Sequence, residues 1–296
     1  MTRSSVGVHR LAILGFGLLG GSVARAARER GLADEIAAAS RSQEPLREAV
    51  RTGMIDRAGT VSEVVDGADL VVLASPIEAM PGLVQEAAPH LAPGALLTDL
   101  GSVKIPPCRD LPGLLPAGRH FVGAHPMAGG HEKGASYARA DLFEGASCVV
   151  TPSEATPPEA KSRVSEFWEG LGCKVIERSP EEHDEQVAWV SHLPHLVAFA
   201  FAAGLSDAPG GAAALVGPGF ADFTRIAGGE AGLWSGILSA NRDFLRVPLE
   251  SFRRCLDELA EAIESRDCER QERLLDSARA ILGGIDSSGS RERAQV

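Results

Sequence analysis

Positive charge is scarce in this 296-residue chain, where 29 Lys and Arg stand against 40 Asp and Glu for a formal charge of -11. That balance argues against nucleic acid or an anionic membrane surface as a main partner, so an anionic ligand must be held by local groups. Paired cysteines are lacking too. The five present (Cys108, Cys148, Cys173, Cys255 and Cys268) are odd in number and show no CxxC or other metal spacing. They predict neither a disulfide framework nor a metal site, and they suit a reducing cytoplasm, where Cys mostly acts as a small buried hydrophobe. Charge interrupts the alanine-rich stretches, so no run of 18 apolar residues occurs, and MTRSSVGVHR holds no long apolar segment. The expectation is no membrane-spanning helix and no signal peptide. Internal repeats and low-complexity linkers are also absent. What is present is an ordinary globular composition, 44% hydrophobic and 23% charged, in a length that accommodates one large domain or two.

The most informative stretch is LAILGFGLLGGS at 11–22. It reads as a buried strand, a glycine turn, and a helix opened by Leu18 and Leu19. Each glycine of the GxGxxG pattern has a physical task. Gly15 permits the tight turn, Gly17 lets backbone approach a pyrophosphate, and Gly20 lets helix and strand pack closely. The helix amino terminus adds free N–H groups and partial positive charge for the phosphates. About twenty residues on, where NAD enzymes place an acid on the ribose 2'-hydroxyl, the chain has Ser40-Arg41-Ser42. A guanidinium between two hydroxyls suits a 2'-phosphate, so NADP is the expected cofactor with NAD possible. A solvated loop arginine is the alternative reading.

Strand-like runs at 36–39, 69–74, 95–100, 120–124, 147–151 and 174–177 alternate with helical segments. That alternation predicts an α/β fold with a doubly wound parallel sheet, whose ligands sit beyond the carboxyl ends of the strands. Gly15, Ser40, Ser75 with Pro76, Ser102 and His125 each follow a predicted strand and are expected to share one rim. From about 179 the period becomes helical. The stretch 181–205 reads as one largely buried helix, whose apolar part at 187–205 hints at a subunit interface. A second, amphipathic helix is expected at 241–266 and a shorter one at 267–282. The final SSGSRERAQV reads as disordered.

Four places can carry chemistry. His125 in GAHPMAGG stands at a strand end, exposed by a proline and a glycine cluster, and Ser102 in TDLGSVK shares its rim. In VSHLPH, His192 and His195 fall on one helix face, and Pro194 removes a ladder hydrogen bond so that a kink is expected there. Without an HExxH pattern the two histidines are a weak zinc signal. Arg225 lies in the apolar stretch GPGFADFTRIA, where a guanidinium is costly to bury unless it meets an anion. A bridge to Asp222 or a clamp on a substrate carboxylate would each satisfy it.

Taken together, GFGLLGGS, ASP at 74–76, TDLGSVK, GAHPMAGG, EHD at 182–184, SHLPH and GFADFTRIA with Trp234 beyond it resemble the prephenate and arogenate dehydrogenases of tyrosine biosynthesis, over 11–279. The resemblance implies an amino-terminal Rossmann-type domain (1–178), an all-helical dimerisation domain (179–284) and a tail (285–296), with active sites between the domains. It implies that His125 and Ser102 face a ring hydroxyl, that Arg225 binds a carboxylate, and that His192 and Trp234 help form the pocket. The implied reaction is oxidative decarboxylation in a cytoplasmic homodimer. His131, six residues past His125, is not acidic and tilts the expectation toward prephenate. No chorismate mutase or ACT segment is expected. Competing readings are another NADP-dependent dehydrogenase with a helical second domain, of the β-hydroxyacid dehydrogenase or imine reductase type, which would use a helix Lys, and a non-catalytic redox-sensing nucleotide-binding module.

Overall fold

The computed structural model describes residues 7–130 and 132–294, with side chains through 285. His131 and the stretch 1–6 searched for a signal peptide lie outside these residues. Compact packing divides the chain between Leu245 and Arg246.

In the larger unit the apolar runs become strands because both of their faces are covered. These are β1 (Val8–Leu14), β2 (Ala33–Ala39), β3 (Arg57–Ala58), β4 (Leu70–Leu73), β5 (Leu96–Asp99) and β6 (His120–Phe121). They pair in parallel in the order β3-β2-β1-β4-β5-β6. Alternate residues of β1 feed two separate cores. Leu11 and Ile13 pack with Val23, Ala24 and Ala27 of α1 (Leu18–Arg30), with Leu46 of α2 (Gln43–Arg51), and with Phe167 and Trp168 of α6 (Pro158–Gly170). Ala12 and Leu14 pack with Val64 and Val65 of α3 (Val61–Val65) and Met80 and Val84 of α4 (Met80–Ala87). Two-sided burial is what a parallel sheet demands. The strand order reverses between β1 and β4, so the cleft beyond their carboxyl ends is the natural ligand site.

The run at 120–124, read as one strand of this sheet, divides instead. Val122 N–H still donates to Leu97 O at 2.9 Å, but β7 (Gly123–Pro126) turns to pair antiparallel with β8 (Ser147–Thr151), which pairs in parallel with β9 (Lys174–Glu177) in a second, three-stranded sheet. Side chains replace the missing ladder. Asp99 Oδ1 accepts from Ala124 N–H at 3.0 Å, and Lys104 Nζ donates to Ala124 O at 2.8 Å. Both side chains are fully buried and ion-paired to each other. A Cβ at Gly123 would lie 2.4 Å from Thr151 Oγ1, so the crossing of strand and buried pair requires glycine.

The helical period begins with a capping box. Ser179 Oγ accepts from Glu182 N–H, and Glu182 Oε2 accepts from Ser179 N–H, with Pro180 in the first turn. This starts α7 (Pro180–Val187), which passes through a π turn (Ala188–His192) into α8 (Leu193–Gly204). The π turn sits where Pro194 withholds its ladder hydrogen bond, a recognised cause of a local helix distortion. Further helices are α9 (Pro218–Thr224), α10 (Ala231–Ala240), α11 (Arg242–Glu264) and α12 (Cys268–Ala294), with α5 (Ile105–Asp110) earlier in the chain.

Two expectations need correction. The helix over 187–205 is not largely buried within the chain: in α8 only Ala198 is buried, while Trp189, Val190 and Phe201 are exposed. Its hydrophobicity is therefore a surface property. By length and composition alone Pro180–Asp207 is apolar enough to cross a membrane, with a mean hydropathy of 1.4 over 18 residues, a test that an apolar helix of a soluble protein also passes. The stretch expected to be disordered from 285 continues α12 to Ala294, since extending an existing helix costs far less than nucleating one. Residues 295–296 lie outside the described residues. In the smaller unit α11 and α12 are joined by Arg266 in a left-handed conformation (φ 55°). There Asp267 Oδ1 caps Arg270 N–H, and Gln271 Nε2 donates to Ala262 O. All five cysteines are free thiols.

Candidate active site

Beyond the carboxyl ends of β1, β4, β5 and β7 lies a cleft of about 780 Å³, closed on its far side by α8, α10 and the segment 225–230. Its nucleotide end is built from backbone. Gly15 has φ 108°, and a Cβ there would meet Ala74 O at 2.2 Å; a Cβ at Gly20 would meet Gly15 O at 2.1 Å. Around Gly17, by contrast, the Cβ direction is open for 4 Å. The first two glycines thus bring strand and helix together, and the third leaves room for a ligand. The amino terminus of the 13-residue α1 has no side-chain cap and no acid in its first turn, so its N–H groups remain available to an anion. Gly17, Leu18, Leu19, Gly20, Arg41, Ser75 and Pro76 line the cleft. Gly15, Ser40 and Ser42 do not: Gly15 lies behind the turn, Ser40 O accepts from Gln43 Nε2, and Ser42 is the N-cap residue of α2. These residues fit a dinucleotide phosphate and ribose.

At the other end stand Ser102, His125, Ser191, His195, Arg225 and Trp234. His125 is buried. Its Nδ1 lies 2.8 Å from His183 Nε2, and His183 Nδ1 lies 2.7 Å from Asp184 Oδ1. Asp184 in turn accepts from the backbone N–H groups of Lys104 (2.7 Å) and Ile105 (2.9 Å) at the start of α5. Burial first, then electrostatic interaction with His183, the Lys104 ammonium and His192, holds the His125 pKa well below the usual histidine value of 6.5. The imidazole is neutral at pH 7 and can take a proton.

His192 does not reach the cleft. It is fully buried, and its Nδ1 accepts from Asn241 Nδ2 at 2.9 Å, an amide that also donates to Asp184 O at 2.8 Å. Its Nε2 is buried without a hydrogen-bond partner. Burial lowers the His192 pKa to about 4, with Asp184 and the backbone of Ser102 acting in the opposite direction. One helical turn later His195 does line the cleft, stacked on Trp234 with ring centroids 3.7 Å apart and Nδ1 donating to Ser191 O. Both rings meet Trp234, His192 edge-on at 6.3 Å from the interior and His195 stacked from the cleft. Arg225 lines the cleft but is exposed rather than buried, and it forms no ion pair among the described residues, with Asp222 or any other. The premise of a buried guanidinium fails because the apolar stretch around it is itself surface. Its charge nonetheless reaches His195, adding to burial in lowering that pKa.

Sequence reasoning missed Asp99, Lys104, His183 and Asn241. The EHD and TDLGSVK motifs contained three of these, but only the tertiary contacts reveal what they touch. Among the described residues no cluster of three or more metal-ligating side chains occurs.

Comparison with known proteins identifies the family. Residues 23–177 match the family "Prephenate dehydrogenase, nucleotide-binding domain" and residues 179–277 match "Prephenate dehydrogenase, dimerization domain". The prephenate dehydrogenase of Bacillus subtilis strain 168 is 31% identical over 294 residues, covering 93% of this chain and 76% of that one. A crystal structure of prephenate dehydrogenase from A. aeolicus, in complex with hydroxyphenyl propionate and NAD+, has a TM-score of 0.86 at 32% identity and covers 95% of this chain and 100% of that one. The crystal structure of Synechocystis arogenate dehydrogenase has a TM-score of 0.77 at 31% identity, covering 93% and 99%. With its nucleotide-binding and dimerisation parts both matched, the chain belongs to the prephenate and arogenate dehydrogenase family of oxidoreductases.

Proposed function

We propose that the chain oxidatively decarboxylates prephenate with NADP+, releasing CO2 and 4-hydroxyphenylpyruvate, and that arogenate is the second substrate to test. The observation that carries the reading is the neutral His125 in the same cleft as the glycine turn and a free guanidinium, Arg225. When bound, the nicotinamide accepts the hydride from the ring carbon that bears the hydroxyl. His125 takes the hydroxyl proton as the carbonyl forms, and Ser102 orients the same hydroxyl. Arg225 holds a substrate carboxylate, while Trp234 and His195 wall the ring. Loss of CO2 then returns its bonding electrons to the ring, which becomes aromatic, and a proton returns to the oxygen.

Arg41 at the cleft, with no acid at the end of β2, supports NADP over NAD. Arg225→Ala should raise KM by about tenfold to a hundredfold, the range of about 1.5–3 kcal/mol for a hydrogen bond to a charged group, and leave NADP+ affinity unchanged. A functional division at 178/179, a homodimer and a cytoplasmic location complete the proposal, supported by the matched dimerisation domain and the five free thiols. The deciding experiment compares kcat/KM for NADP+ and NAD+ with prephenate and with arogenate. Much faster NAD+ reduction would refute the cofactor reading, and turnover of neither acid would refute the activity.

A further inference from the structure

His125 in the cleft is the end of a buried chain: His125, His183 and Asp184 are hydrogen-bonded in series at 2.8 and 2.7 Å, and their exposures are 6%, 1% and 1%. Protons in such a chain are determined by its fixed end. The Asp184 carboxylate can only accept, and it already receives two backbone N–H groups. His183 Nδ1 must therefore carry the proton that faces it. With neutral His183, Nε2 has only a lone pair, so His125 must donate from Nδ1. In neutral His125 that leaves Nε2 bare, as the acceptor.

We infer that His183 and Asp184 are positioning residues that hold His125 in the Nδ1-protonated tautomer and so present a bare Nε2 lone pair to the substrate hydroxyl. The inference deepens the reading of His125 as proton acceptor and rests on it. When the hydroxyl proton moves to Nε2, His125 becomes an imidazolium whose Nδ1–H remains bonded to His183. No second proton transfer is required, because Asp184 stabilises the charge across the intervening ring. The local architecture is consistent with this use. Asp184 is placed by the capping box that starts α7, and its backbone carbonyl is tied down by Asn241. Lys104, whose backbone N–H binds Asp184, also grips the Ala124 carbonyl next to His125 through Nζ. The base is thus held from its ring, from its neighbouring backbone and from the far end of the chain. Precise placement of this kind is what a general base needs.

The test uses the full chain with NADP+ bound. Nitrogen NMR of the histidine rings at pH 7, assigned by comparison with His125→Asn, should show His125 neutral with its proton on Nδ1. A proton on Nε2 would overturn the inference without reference to turnover. Kinetically, His183→Leu removes the acceptor while leaving Asp184 its two backbone donors. It should lower kcat about tenfold or more, a part of the 10² to 10⁴ a positioned base supplies, with KM changing less than about twofold. His183→Gln, whose amide oxygen can reach the Nε2 position, should recover most of that loss. Wild-type kcat in His183→Leu, with turnover lost in His125→Asn, would overturn the relay and leave the base assignment standing. Wild-type turnover in His125→Asn would overturn both. Should His183→Leu fail to fold, the ring spectrum of the wild-type protein decides.

Discussion

Three buried histidines, His125, His183 and His192, have pKa values lowered chiefly by burial. Each is neutral in the folded chain at pH values where the unfolded chain, titrating near 6.5, already takes up a proton. Below pH 6.5 the unfolded state therefore binds more protons, and stability falls as the pH drops. For His192 the window runs from 6.5 to about 4, a contribution of about 3 kcal/mol at full extent. Unfolding by urea should give a constant free energy between pH 7 and 8 and a steady decline from 6.5 toward 4. His192→Asn should flatten part of that decline. A free energy that stays level down to pH 4.5 would mean that these rings titrate normally. With His125 as the proposed base, which must remain unprotonated, the same burial should place the acid limb of kcat/KM below pH 6.5.

At the scale of the element, the junction of β1 and α1 separates packing from binding. Gly20→Ala would press a methyl against Gly15 O, 2.1 Å away, and force α1 off the sheet. It should cost about 1–3 kcal/mol, as overpacking does, and be visible as a lower Tm without any ligand. Gly17→Ala meets open space and should fold with an unchanged Tm. Its methyl occupies the approach of the phosphates, so NADP+ affinity should fall about tenfold or more. Equal Tm losses in the two variants would show that the turn is merely structural. The π turn between α7 and α8 is the other element with a consequence. His192 at its end is bound to Asn241 in the interior, His195 follows three residues later in the cleft, and both rings meet Trp234.

For the whole molecule, the uncovered face of α8 and the π turn before it is the feature a single chain does not explain. Val190 is 71% exposed, and Trp189 and Phe201 are more than two-fifths exposed, in residues matched by a dimerisation domain. The proposed homodimer would cover this face with a second copy, and so much apolar surface would make it obligate. Val190→Glu with Phe201→Glu should yield a folded monomer in sedimentation, since neither side chain is buried within its own chain. A wild-type chain that sediments as an active monomer at micromolar concentration would exclude that arrangement.

The parallel sheet, the glycine turn and the location of His125 at a strand end were legible from local pattern, because strand period, turn chemistry and strand-end position each depend on residues close in the chain. The same holds for the start of α7, where Ser179, Pro180 and Glu182 spell out a capping box. Tertiary structure alone decided what each buried polar group touches. Nothing in the order of residues says that β7 leaves the sheet because Asp99 and Lys104 take over its backbone bonds. Nothing there says that His183, rather than solvent, stands behind His125. Nor does an apolar helix record whether its cover is the same chain or another. Local preferences act over a few residues, but hydrogen-bond partners 58 or 80 residues apart meet only when the cores on both faces of the sheet close and leave each buried donor and acceptor to find its match.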